Sequence, residues 1–489
     1  MRETAPMGTR GIGGVDRRLG DAIEALTAGH HRRRLRRLGH GGSVRPPEDG
    51  RLWAAGDPPP RAGNALEVLV DGAPAMAAVA EAVRGARRHV HLAGWCVTPE
   101  LALDRGEPPL LLRELLAEAA ERVDVRVLLW AGAPVPLFKP TRAAVRDMRE
   151  RLVAGTRIRA ELDARERPAH CHHEKLVVVD DEVAFVGGID LTSFGGDRWD
   201  TPEHPPRGRL GWHDAATRLR GPAVADVAAH FALRWREVAG EPLAAPAIPP
   251  PAGDVEVQVV RTVPERVYDA LPRGDFRIVE AYLRALRSAR ELVYLESQFL
   301  WSPEVTAILE DKLRRPPSDG FRIVVLLPVK ANNGQDDTAG QLARLEEADG
   351  GRGRFLATTI SAVGRHATDR IYVHAKVGIV DDRWLTLGSA NLNAHSFFND
   401  TEVNLVACDP GLARDTRLRL WAEHLDVDRA AVDRPAAAVV DELWRPIARE
   451  QLERVRRGEH RTHRLLELPG GSRRYERLLG PLDSILVDG

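Results

Sequence analysis

The sequence predicts an α/β protein made of two similar halves that share one site, and three observations carry that expectation. First, His173-Glu-Lys175, four residues and Asp180 recur as His374-Ala-Lys376, four residues and Asp381. Second, each copy runs into an apolar stretch, Leu176 to Val179 or Val377 to Val380, and then into Gly187-Gly188 and Asp190 or Gly388-Ser389 and Asn391. Third, the segments around the two copies follow the same order, and a proline-rich stretch separates them. Side chains alternate along a strand with period 2, so a histidine and a lysine two apart point to one face and converge on one spot.

The elements can be read in order. Residues 1–60 form a basic arm rich in Gly, Arg and Pro, with His30-His31 followed by the Arg32–Arg37 cluster on a weak helical pattern. The first half is expected over 61–240. Pro74 opens a helix from Ala75 to Arg88 that feeds the strand His89 to Leu92. Leu110 to Glu121 reads as a second helix before the strand Val125 to Leu129. The motif strand, a turn at Asp180-Asp181, a hairpin partner at Val183 to Val186 and a closing helix around Val224 to Glu237 complete it. Aspartate suits such turns because its side chain bonds the local backbone.

Residues 241–253, with five prolines between Glu241 and Pro251, are expected to be an extended, stiff linker. The second half, 254–430, repeats the plan. A helix from Ile278 to Arg290 precedes the strand Leu292 to Leu295, and a helix from Glu304 to Arg314 precedes Arg322 to Leu327. The motif strand, Asp381-Asp382, Trp384 to Leu387 and a helix from Leu412 to Leu425 follow. Residues 431–489 have no counterpart in the first half; Leu443 to Leu466 reads as a charged helix in a packing appendage.

Composition narrows the function. A chain of 489 residues exceeds what one hydrophobic core usually serves, and a net charge of -1 supplies no general field for nucleic acid. Of 70 basic residues only five are lysines (Lys139, Lys175, Lys312, Lys330 and Lys376), and two of the five fall in the motif. A compact ammonium is therefore kept where a planar guanidinium would differ. Three cysteines, Cys96, Cys171 and Cys408, give no disulfide framework and fit a reducing compartment; Cys171 is expected to be an inert buried thiol. No run approaches about 18 apolar residues, and the N-terminus lacks the apolar core of an export signal. A cytoplasmic location, peripheral at a membrane, is the expectation.

Two histidines from two halves, each with a lysine, suit phosphoryl transfer. One neutral imidazole attacks phosphorus; the other, protonated, gives a proton to the leaving oxygen and later takes one from the incoming hydroxyl. The lysines, with donors from the Gly388-Ser389-Ala-Asn391 turn, would stabilise the equatorial oxygens. The main competitor is a metal site at Ala169-His170-Cys171-His172-His173, dense in ligand types. The second copy keeps only His374 of that set, and a lysine two residues from a ligand would set positive charge against the ion. No metal and no cofactor is therefore assigned, and His170 and His172 are expected as a polar rim or as local hydrogen-bond partners.

The paired His-x-Lys-x4-Asp motif, each copy followed after six residues by Gly-Gly or Gly-Ser, resembles the phospholipase D superfamily across nearly all of residues 61–430. Gly187 to Leu191, Asp197 to His204, Trp212-His-Asp214 and Tyr294 to Phe299 are similar to phospholipase D proper within it. The resemblance implies two α/β/α domains about a pseudo-twofold axis with the active site between them. It further implies His173 as nucleophile and His374 as acid and base. By the same likeness, Asp214 and Glu402 are the carboxylates that hold the imidazoles. Asp180 and Asp381 belong to the catalytic motif as structural holders, and Asp190 has a supporting role only. His395 stands where many relatives have arginine, and nothing resembles the calcium- or lipid-binding modules of many eukaryotic members.

The expected function is hydrolysis of a glycerophospholipid such as phosphatidylcholine to phosphatidic acid and an alcohol, through a phosphohistidine, with transphosphatidylation as a side reaction. A cardiolipin-synthase-like transferase and a nucleic-acid phosphodiesterase are the alternatives. The expected partner is a phospholipid at a membrane surface, touched in addition by the Arg32–Arg37 segment. No nucleic acid is expected as a partner, and the chain is expected to be monomeric.

Overall fold

A computed structural model describes residues 9–134, 139–167, 170–330 and 335–470. Each half is built on a seven-stranded mixed sheet. In the first the order is Arg159–Asp163, Asp124–Trp130, His89–Gly94, Leu176–Val179, Val183–Gly187, Ala215–Arg220 and Arg61–Val70. The first three strands run parallel and the rest antiparallel. In the second half Phe355–Val363, Arg322–Leu326, Leu292–Glu296, Val377–Val380, Trp384–Gly388, Glu402–Ala407 and Val255–Val263 repeat that order and those directions. Arg61–Val70 and Val255–Val263 pair antiparallel at an irregular register, which joins the two sheets edge to edge.

Both motif strands are buried along their whole length, and alternation decides what each residue meets. Leu176 and Val178 face a core shared with Val257, Val403 and Leu405 of the second half, whereas Val177 and Val179 face the helix Gly72–Arg84 through a core containing Met76 and Val79. The halves are thus fused through the same strands that carry the repeated motif. In the second copy, Gly378 replaces a valine because a Cβ there would approach Tyr282 and Thr386 to 3.1 Å.

Several elements depart from the sequence expectation. Each sheet has a third parallel strand that the sequence reading lacked, preceded by the helix Arg142–Val153 in the first half and Gln335–Asp349 in the second. The first of these helices buries only Val145 and Leu152, so its apolar pattern is faint; Thr141 caps it by accepting from Ala144 N at 3.2 Å. Leu443 to Leu466 is not one helix: Arg445–Arg456 is helical, and Leu465–Glu467 adds an antiparallel edge strand to Phe355–Val363. Residues 471–489 of the expected appendage lie outside the described residues.

The basic arm also differs from a solvated segment. Thr9–Leu38 is a helix, and Leu35 enters the second half's core with Ile278 and Leu283. Arg34, expected among the lipid-facing residues, turns inward: its guanidinium binds Glu265 and the Phe398 carbonyl. Arg33, Arg36 and Arg37 remain exposed. The helical period puts position 34 on the packed face, and a buried arginine needs a carboxylate there.

Candidate active site

His173 and Lys175, like His374 and Lys376, occupy the extended residues just before their strands. Alternation still operates there. Glu174 points the opposite way, into a buried set with His230 and Arg234, and leaves His173 and Lys175 on one side. The lead-ins are fixed by backbone bonds that cross between halves. His173 N and Glu174 N donate to Thr401 O at 2.9 and 3.1 Å, and His374 N and Ala375 N donate to His213 O at 2.8 and 3.2 Å. Thr401 precedes Glu402, and His213 precedes Asp214. Each half therefore delivers its carboxylate to the other half's histidine.

His173 Nδ1 lies 3.0 Å from Glu402 Oε1, and His374 Nδ1 lies 2.6 Å from Asp214 Oδ2. The two imidazoles meet at the interface with ring centroids 6.3 Å apart and planes at 70°. Each Nδ1 is held by a carboxylate, which fixes the tautomer, stabilises an imidazolium and makes Nε2 the nitrogen suited to attack or proton transfer. Trp212 walls His374 at 4.8 Å between centroids, and the Arg198 guanidinium lies over the Trp212 ring at 3.9 Å from its centroid.

The pairs are unequal in a way that can be traced to single residues. Gly188 leaves room for Asp214: a Cβ on residue 188 would lie 2.1 Å from Asp214 Oδ1. The matching position in the other half is Ser389, whose hydroxyl donates to Glu402, as does that of Ser396 at 2.6 Å. Burial raises the Asp214 carboxyl to about 6, against the pull of Lys376. Burial raises that of Glu402 to about 8, against the pull of Lys175.

The lysines differ as well. Lys175 Nζ donates to His173 O and lies 3.2 Å from Asp190 Oδ2, so Asp190 is the lysine's counter-ion. Lys376 Nζ donates to His374 O, but Asn391 stands where Asp190 would, and burial brings its ammonium down to about 7. Burial and the cations Lys376, Arg198 and Lys175 hold His374 well below the usual imidazole range. A phosphate anion between these groups would offset that repulsion and let His374 carry a proton.

Other sequence-identified residues lie elsewhere or are already engaged. Asp180 and Asp381 are at the far ends of the motif strands, about 16 Å along an extended chain from the lysines. Asp180 accepts from the backbone N–H groups of Arg87, Arg88 and His89 at 2.7 to 2.9 Å, and Asp381 does the same for Arg290, Glu291 and Leu292 at 2.7 to 2.8 Å. They pin the helix-to-strand turn of a neighbouring segment rather than the local turn the sequence suggested. Within the second turn, the Gly388 N–H bonds Lys376 O, Ser389 N–H bonds Val403 O, and Asn391 Nδ2 bonds Gln298 Oε1 at 3.3 Å. The Gly388 and Ser389 backbone donors thus hold the turn, and one N–H of the Asn391 amide is engaged by Gln298.

Of the two expectations for His170 and His172, the structure shows local hydrogen-bond partners. His170 Nδ1 lies 3.0 Å from His395 Nδ1, and His172 is buried between Thr401 and Asp163. Cys171 is buried, as expected of an inert thiol. Sequence reasoning missed Arg198 as a site residue. Its Nε and Nη1 are buried with no hydrogen-bond partner among the described residues, and its only signal was its place in the Asp197 to His204 stretch.

Comparison with known proteins gives consistent relatives. A family model described as "Phospholipase D" matches residues 82–211, and one described as "Cardiolipin synthase, PLD-like domain" matches residues 282–421. Phospholipase D A of Dictyostelium discoideum is 25% identical over 468 residues, covering 75% of this chain and 36% of that protein. Phospholipase D1 of Schizosaccharomyces pombe is 26% identical over 501 residues, covering 76% and 36%. The chain thus spans about a third of the length of these two relatives. Among solved structures, phosphatidylserine synthase of Haemophilus influenzae shares the fold with a TM-score of 0.51 at 14% identity, over 80% of this chain and 94% of that one.

Proposed function

Because this chain belongs to the phospholipase D superfamily, we propose that it cleaves the distal phosphodiester bond of a glycerophospholipid, releasing the head-group alcohol and forming phosphatidic acid. The observation that carries the reading is the facing pair His173 and His374, each with Nδ1 held by a carboxylate from the opposite half. His173 Nε2 attacks phosphorus and the P–O bond to the head group breaks. His374, protonated once the anion is bound, gives its proton to the departing oxygen. Water then loses a proton to His374 and displaces His173, which restores both imidazoles. Lys175, Lys376 and Arg198 stabilise the equatorial oxygens through the transition state.

An amphiphilic substrate is supported by a cavity that reaches Tyr372, whose ring lies 6.2 Å from that of His374 between centroids. This cavity of about 210 Å³ is lined by Leu210, Pro328, Val329 and Ile371, with Lys330 and Arg370 among them. Apolar lining beside cations suits a chain-bearing anion. We propose that such a substrate is met at a membrane surface; among the described residues no helix is long and apolar enough to cross a membrane.

A second reading, transfer of the phosphatidyl group to an alcohol such as another lipid's glycerol, is favoured by the cardiolipin-synthase match over residues 282–421. The same intermediate serves both, since the second step needs only a hydroxyl. Phosphatidylcholine vesicles with added ethanol separate the readings: hydrolysis yields phosphatidic acid with a minor share of phosphatidylethanol. Absence of either product from any common diacyl phospholipid, with release of nucleotides from single-stranded DNA, would overturn the lipid reading.

A further inference from the structure

Beside the imidazole pair, and outside its chemistry, lies a second buried group drawn from four separate elements. Asp71 follows the strand Arg61–Val70, and His204 lies in the loop from Gly195 to Leu210. His213 ends the strand Gly211–His213, and Glu423 is on the helix Pro410–Leu425 of the second half. One ligand-type atom from each lies within 4.8 Å of every other. His204 Nε2 is 3.2 Å from Glu423 Oε1 and 3.5 Å from Asp71 Oδ2, and His213 Nδ1 is 3.4 Å from Glu423 Oε1. Four ligands at 2.0–2.1 Å in a tetrahedron stand about 3.3–3.4 Å apart.

Three further observations point to an occupant. Asp71 is fully buried and its Oδ2 has no hydrogen-bond partner among the described residues; Oδ1 accepts from the Asp214 N–H and lies 3.0 Å from His213 Nδ1, whose proton an incoming metal ion would displace. The outer nitrogen of one imidazole is backed by a carboxylate, His213 Nε2 at 3.0 Å from Glu296 Oε2, and Asp200 Oδ2 stands 3.4 Å from the outer nitrogen of the other, His204 Nδ1, without a hydrogen bond to it. That second layer of carboxylates is how proteins orient metal-bound imidazoles. Finally, Asp71 (φ 65°) and His204 (φ 46°) both adopt left-handed backbone, strain that persists where surroundings over-determine a position.

We infer that Asp71, His204, His213 and Glu423 form a closed, structural site for a divalent first-row metal of the zinc type. Two imidazoles and two carboxylates suit zinc better than calcium or magnesium, which take six or more oxygens or keep waters. With all four positions filled by the chain, the ion would act as a staple. It would fasten the Gly195 to Leu210 loop of the first half to the helix Pro410–Leu425 of the second. It would also fix His213, whose carbonyl anchors His374 and whose neighbour Asp214 holds the His374 ring.

The test uses the whole protein and zinc alone, with readouts that do not depend on turnover. Protein freed of metal by a chelator should bind one Zn²⁺ per chain by calorimetry, with a rise in Tm. Cobalt in its place should show the visible bands of four-coordinate Co²⁺. His204→Gln and Glu423→Gln should each weaken zinc binding by about 100-fold or more. Failure of stripped wild-type protein to bind zinc or to shift its Tm would overturn the inference and leave the four side chains as a hydrogen-bonded cluster. So would zinc binding equally tight in both variants. If a variant does not fold, the wild-type stoichiometry and the cobalt spectrum decide.

Discussion

His173 and Glu402 stand 229 positions apart in different halves, yet Nδ1 of one lies 3.0 Å from Oε1 of the other, and the pair is reciprocated by His374 and Asp214. The crossing is set by backbone bonds from each motif to the residue just before the opposite carboxylate, Thr401 or His213. Neither half holds a complete acid–base pair by itself. A reader of the sequence sees two repeats; the molecule has exchanged one carboxylate between them.

Asp214→Asn should separate the two chemical steps. Replacing the carboxylate that holds His374 removes stabilisation of its imidazolium and frees the wrong tautomer, for which losses of about 10³–10⁴-fold in kcat are expected. Rapid-quench kinetics should find hydrolysis slowed with KM changed little.

Glu402→Gln should be less active but more stable at neutral and mildly alkaline pH. The Glu402 carboxyl titrates near 8 in the folded chain because it is buried, against an ordinary value of 4.5. Between those pH values the folded chain binds more protons than the unfolded one, so wild-type stability is full below about 4.5 and falls as pH rises toward 8. Glutamine carries no such charge. The gain in Tm of the variant over wild type should grow across that window, by a few degrees, and level off above it. Scanning calorimetry from pH 5 to about 9 checks the slope.

Gly188→Ser tests the asymmetry. Serine is tolerated at the corresponding position 389, but at 188 the new Cβ would collide with Asp214 Oδ1. Displacing Asp214 should lower kcat about 10²-fold or more and cost about 1–3 kcal/mol of stability, measured by activity and denaturant unfolding.

Asp180→Ala should do the reverse. Three backbone N–H groups lose their acceptor, so stability should drop by about 1–3 kcal/mol, while the folded fraction keeps its kcat. A loss of kcat in fully folded protein would place Asp180 nearer the chemistry than its geometry does.

Much of this was legible from the chain because it rests on period and spacing. The motif strands, their hairpin partners and the helices Gly72–Arg84 and Arg277–Ser288 follow from apolar runs and flanking signals. The positions of Asp214 and Glu402 came from resemblance to a family, and which histidine each holds is a tertiary fact that no local pattern encodes. The inward turn of Arg34 depends on Glu265, 231 residues away, and a run of arginines reads as a solvated face until that partner is known. The roles of Arg198 and of the Asp71, His204, His213 and Glu423 group were unreadable for the same reason, although Arg198, His204 and His213 lie in stretches the resemblance marked. Their members are single residues far apart in sequence, brought together by the folding of the first half and, for Glu423, by the helix Pro410–Leu425 of the second.

Covalent trapping tests the central claim most directly. Incubated with phosphatidylcholine labelled at phosphorus and quenched at alkaline pH, wild-type protein should carry an acid-labile, alkali-stable phosphatidyl adduct on the peptide containing His173. The adduct should form slowly but, once formed, persist in His374→Asn, which lacks the base for its hydrolysis, and be absent from His173→Asn. Label on a different residue, or turnover that survives in His173→Asn, would contradict the account.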